Sequence, residues 1–135
     1  MDKAILYPMA ALAALTFGVA LVLVKRRFAA VKAGETTNLK YFKTFQGEGE
    51  PEYVRVAQRN MINLFETPIL FYVGCLAAAV FGAADTVSVA SAWAYVAIRL
   101  LHTIVHITVN KVPWRANLFF LSFVPLIVLW VNVVA

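Results

Sequence analysis

Two sets of polar residues in this chain have the types and spacing to hold an anion inside an apolar setting. The first is Arg55, Arg59, Asn63 and Glu66, which run directly into a long apolar segment. At about 100° per residue these four fall on one face of a helix. An ionised carboxylate such as Glu66, a turn or two inside a lipid-buried segment, costs several kcal/mol unless it meets protein, water or an opposite charge. The second set is Arg99, His102 and His106, with Asn110 below them, at spacings of three and four that again share one helical face. Arg115 follows nine residues after His106. Guanidinium groups recognise carboxylates through paired N–H donors, and a guanidinium beside a thiol favours its thiolate.

The same residue types have other uses in a bilayer. Buried Arg, Glu and His pair with one another to lock helices together, and they line proton or solute paths. His102 and His106, with Glu66, have the spacing to hold a metal ion, but no HExxH-type third element accompanies them and no metal is expected. Arg99 is the natural counter-ion for Glu66.

The elements that must carry these residues are membrane spans. Of 135 residues, 62% are hydrophobic and 14% charged, and the mean hydropathy is +0.78, which excludes an ordinary soluble domain. The net charge of +5 sits beside apolar spans and is not interleaved with exposed aromatics, so lipid headgroups explain it better than nucleic acid. Cys75 is the single cysteine, so there is no disulfide framework, and it reads as a small buried hydrophobe.

Four spans are expected, at about residues 5–24, 58–84, 86–109 and 116–135, joined first by a polar loop over 25–54. The first span ends in Lys25-Arg26-Arg27 and is longer than a signal h-region, so it reads as retained. Ala10, Ala14 and Gly18 have small-xxx-small spacing and predict a face packed on protein, as do Gly74, Ala78 and Gly82 in the second span. Pro68 and Pro125 predict kinks. Trp130 is expected near the far interface. Eight of the 12 Lys and Arg lie in or beside the first loop, whereas the turn near Asp85 has none. The positive-inside rule then puts the first and third connections in the cytoplasm and both termini outside. Both polar sets fall at the cytoplasmic ends of their helices.

Arg59-xxx-Asn63-xx-Glu66-x-Pro68, His102-xxx-His106 and Arg115, on four spans with a basic first loop, resemble the MAPEG family of membrane-associated proteins in eicosanoid and glutathione metabolism, in its bacterial type. The resemblance implies an all-α homotrimer of four-helix subunits in the bacterial inner membrane, with glutathione bound between subunits near the cytoplasmic face. It implies that Arg27, Arg59, Asn63, Glu66, His102 and His106 bind the peptide and that Arg115 is catalytic, holding the thiolate against a lipophilic electrophile or peroxide from the bilayer. Three positions depart from the pattern of glutathione-using members. His106 stands where tyrosine is common, Ala116 where one branch has serine, and Ile62 where an additional arginine precedes the family asparagine. The alternative expectation is a non-catalytic scaffold or lipid-binding protein of the same fold.

Overall fold

The computed structural model describes residues 3–36, 41–44 and 49–135. Among them the chain is helical, with no strand. A 3-10 turn over Lys3–Ile5 leads into α1 (Leu6–Lys32), and a single turn, α2 (Tyr41–Thr44), precedes α3 (Glu52–Leu64) and α4 (Pro68–Val80). After these come α5 (Thr86–Ile107), α6 (Val112–Leu121) and α7 (Phe123–Val134). Four stretches are long and apolar enough to cross a membrane: Lys3–Lys32, Glu52–Val80, Thr86–Ile107 and Val112–Val134. The protein is an all-α membrane bundle of four spans.

Two of the four spans are broken, and proline chemistry locates both breaks. Pro68 opens α4 and has no N–H to give the carbonyl of Leu64, so α3 stops there and three residues separate the two helices. Phe65 and Glu66 N–H groups turn back to the carbonyls of Ile62 and Asn63 at 2.9 and 3.3 Å. In the last span Pro125 leaves the carbonyl of Leu121 without its helical donor. Ser122 sits at that break, and its hydroxyl donates to the Phe119 carbonyl at 2.6 Å.

The core divides along the second span. Val54 and Ala57 pack with Leu23 and Ala30 of α1, whereas Phe71, Cys75 and Ala78 pack with Ile5, Leu12, Tyr95 and Leu129. Phe71 stacks on Tyr95 with ring centroids 4.7 Å apart. Between these two apolar clusters lies the stretch that holds Arg59, Asn63 and Glu66. Large side chains on the outer faces, including Phe17, Ile69, Val80, Ile127 and Val131, are exposed, as lipid contact requires.

α1 continues beyond Val24, where the apolar run ends, to Lys32. Arg26 explains the extension: its guanidinium donates to the carbonyls of Tyr53 and Ile107 at 2.8 and 2.9 Å, tying the polar end of α1 to α3 and α5. Within the expected loop, residues 37–40 and 45–48 lie outside the described residues. The two small-residue faces differ. Gly74 is buried, and a Cβ there would lie 3.1 Å from Leu129 Cδ2 and 3.2 Å from Trp130 Nε1, so its lack of a side chain admits α7. Ala10, Ala14 and Gly18 instead face outward, with nothing within 4 Å of a Cβ built on Gly18; among the described residues no other helix packs on that face. Trp130 does not mark an interface alone, because its indole N–H donates to the Leu70 carbonyl at 3.1 Å.

Candidate functional site

The break between α3 and α4 and the start of α6 frame a cleft of about 440 Å³. α3 and the break contribute Arg59, Ile62, Asn63 and Glu66; α5 contributes His102 and His106; α6 contributes Arg115, Ala116, Phe119 and Phe120. Six of the seven residues that the family resemblance assigns to the site therefore line one cavity. Two helix faces bring them together because α3 packs on α5, and α5 on α6.

The polar wall is linked by hydrogen bonds. Asn63 Nδ2 donates to Glu66 Oε2 at 3.2 Å, and Arg99 Nη2 donates to both the Asn63 side-chain oxygen and its main-chain carbonyl. The carbonyl bond, 3.3 Å long, gives a second donor to the Asn63 carbonyl, which also accepts from the Glu66 N–H at the end of α3. Arg99, expected as the counter-ion of Glu66, reaches it through the asparagine between them: the guanidinium donates to Asn63, whose amide donates to Glu66. The Arg99 side chain is fully buried and lies 5.8 Å from the Phe119 ring centroid. Behind it Asn60 Nδ2 donates to Thr103 Oγ1 at 3.4 Å.

Both histidines are more than nine-tenths buried, and they meet edge to face with centroids 5.5 Å apart. Among the described residues, Nδ1 of His102 and both ring nitrogens of His106 have no hydrogen-bond partner. A buried polar atom left unpaired costs about 1–3 kcal/mol, so a ligand that supplies partners gains from filling the cleft. Arg115 is half-buried, and its Nη1 donates to Asn110 Oδ1 at 2.8 Å. The rest of the lining, Ile62, Ala116, Phe119 and Phe120, is apolar. The arrangement can hold an anionic polar molecule against Arg59 and Arg115 while an apolar molecule approaches along the Phe wall.

Across residues 5–135, essentially the whole of the described bundle, the chain matches the family model for MAPEG. It belongs to the MAPEG family. No curated protein and no solved structure matches it. MAPEG proteins generally use glutathione, and Ile62, His106 and Ala116 all line the cleft.

Arg27 is the candidate that this cleft does not include. Its Nε donates to Glu50 Oε1 at 2.6 Å and its Nη2 to Gln58 Oε1 at 3.0 Å, with the Glu50 side chain 1% exposed. It borders a separate apolar hollow with Val24, Phe28, Val31 and Phe42. Among the described residues no group of three or more His, Cys, Asp and Glu is arranged to hold a metal ion. Sequence reasoning did not single out Phe119 and Phe120, although their positions four and five residues after Arg115 on one helix were the available signal. Asn60 and Thr103 gave no signal, since only the packing of α3 on α5 pairs them.

Proposed function

We propose that this protein is a glutathione-dependent transferase or peroxidase acting on lipophilic electrophiles within the membrane. The observation that carries the reading is the convergence of Arg59, Asn63, Glu66, His102, His106 and Arg115 on one cleft with an aromatic wall. Glutathione brings two carboxylates, an ammonium and a thiol. Arg59 binds a carboxylate, Glu66 receives the ammonium, and Asn63, fixed by Arg99, orients Glu66 between them. The histidine nitrogens supply hydrogen bonds to the peptide. Arg115 favours the thiolate, whose sulfur then displaces a leaving group from an electrophilic carbon arriving along Phe119 and Phe120, or attacks a peroxide oxygen there so that the O–O bond breaks and an alcohol leaves. A second glutathione then converts the resulting sulfenic acid to glutathione disulfide and water.

The assembly we propose is a homotrimer of the bacterial type in the inner membrane, with the cation-rich ends of the bundle cytoplasmic and both termini outside. Two features support it. The Ala10–Ala14–Gly18 face has no partner helix among the described residues, and Arg27 stands apart from its own subunit's cleft, as a residue serving a neighbour's cleft would. Glutathione titrated into purified protein in nanodiscs should bind and give thiolate absorbance near neutral pH. Absence of both with millimolar glutathione would favour a scaffold or lipid-binding role for the same fold.

A further inference from the structure

α5 ends in a way that its helical pattern does not announce. The helix stops at Ile107, the Thr108 N–H closes on the Ile104 carbonyl, and the Asn110 N–H reaches back to the Val105 carbonyl at 2.7 Å. That last bond holds Asn110 at φ +49, the single non-glycine residue with positive φ among those described. Glycine takes this left-handed conformation freely, and asparagine is one of the few other residues that tolerate it. Ending the helix would therefore be served at least as well by glycine.

What glycine lacks is the side-chain oxygen that accepts from Arg115 Nη1 at 2.8 Å. Because the backbone of Asn110 is fixed by its own N–H, its carboxamide has a fixed origin, and Arg115 is anchored in turn by its N–H bond to the Lys111 carbonyl at 3.0 Å. A long guanidinium side chain is thereby held in one orientation at the cleft. The acceptor is also neutral. A carboxylate at this position would orient the guanidinium but cancel its charge, whereas an amide occupies one N–H and leaves the positive charge for a ligand. Other charged and titratable groups share the cleft: Arg59 from α3, Glu66 from the break after it, and His102 and His106 from α5. Arg99 lies behind Asn63, and Lys111 is turned onto the Trp114 ring, 4.9 Å from its centroid. Among the described residues Asn110 is the hydrogen-bond partner of the Arg115 guanidinium.

We propose that Asn110 is a positioning residue for Arg115, a left-handed helix stop whose carboxamide aims the guanidinium at the reacting sulfur. The role in turnover rests on the glutathione reading above; the role in orienting Arg115 does not. Asn110→Gly keeps the left-handed backbone and removes only the acceptor, and Asn110→Asp keeps the acceptor and adds charge. In the full-length protein, Asn110→Gly should retain the wild-type melting temperature and glutathione affinity. Its thiolate-forming pH midpoint should rise, and kcat should fall roughly tenfold with KM little changed, the pattern of a contact that matters chiefly with the charged sulfur.

Without glutathione, arginine-directed phenylglyoxal labelling read by peptide mass spectrometry should modify Arg115 faster in Asn110→Gly than in wild type, and no faster in Asn110→Asp. Wild-type labelling of the glycine variant would overturn the proposal and leave Asn110 as a helix stop alone. Should the glycine variant fail to fold, faster labelling of Asn110→Asp overturns it and equal or slower labelling supports it. If wild-type protein forms no thiolate with glutathione, the enzymatic reading falls while the labelling rates still decide the role of Asn110.

Discussion

At the scale of single residues, the two cleft arginines should fail in different ways. Arg59 lines the cleft with Asn63 and Glu66, so Arg59→Ala should weaken glutathione binding by about 1.5–3 kcal/mol, the scale of a hydrogen bond to a charged group. Arg115→Ala should leave binding nearly intact, raise the pH at which thiolate forms and lower kcat, because its interaction strengthens as charge develops on sulfur. Calorimetric titration and thiolate absorbance across pH, run on each variant, separate the two losses. Arg99 acts one step further back. Its contacts are to the side chain and carbonyl of Asn63 at the helix break, so Arg99→Met should lower thermal stability as well as affinity. Loss of affinity with an unchanged melting temperature would contradict that structural role.

At the scale of helices, the end of the bundle away from the cleft is fastened by Asp85. Its carboxylate caps α5 by accepting from the Ser88 N–H at 2.9 Å, and Asn132 of α7 donates to the same oxygen at 2.9 Å. The Ser88 backbone bond, helped by Asn132, holds the Asp85 carboxyl below the usual carboxylate range. A carboxyl whose folded-state value is depressed stabilises the fold above its unfolded pKa of about 3.9 and loses that contribution as pH falls through the lower folded value. Thermal melts in detergent should therefore show part of the acid destabilisation below about pH 4 disappearing in Asp85→Asn. An identical acid limb in both proteins would show that the cap contributes nothing through its charge. Gly74 is the tight point between α4 and α7, where a Cβ would meet Leu129 and Trp130. Gly74→Leu should overpack this crossing and destabilise by about 1–3 kcal/mol, measurable as a lower melting temperature with secondary structure retained.

At the scale of the whole molecule, the outward Ala10–Ala14–Gly18 face is the test of assembly. Small residues permit close helix approach in lipid, where packing drives association. Native mass spectrometry from mild detergent should find trimers for the wild type and a smaller trimeric fraction for Gly18→Leu, a change with open space inside the subunit. A stable wild-type monomer would remove the between-subunit site. Orientation is tested by cysteine-accessibility labelling at Lys32, Lys111 and Asp85, with the first two expected on the cytoplasmic side and Asp85 outside. The reverse pattern would put the cleft on the other face of the membrane.

Hydropathy alone determined the four spans, because an apolar run of about 20 residues has few alternatives to a membrane helix. Helical periodicity alone grouped Arg59 with Asn63 and Glu66, and His102 with His106, because side chains three and four apart must share a face. Proline positions predicted both breaks, since a missing N–H is a local covalent fact. Distances between spans were not available in that way. That Arg99 reaches Glu66 through Asn63 depends on where the break after Leu64 turns the carbonyls, and Glu50 and Gln58, which accept from Arg27, come from across the first connection. That Gly74 packs inside the subunit while Gly18 does not was equally invisible, because the two small-residue patterns are alike and only the packing of α7 on α4 tells them apart. The end of α5 was hidden for the same reason. A helix-compatible spacing left Asn110 on the histidine face, whereas a backbone bond to Val105 turns it left-handed and gives its side chain to Arg115.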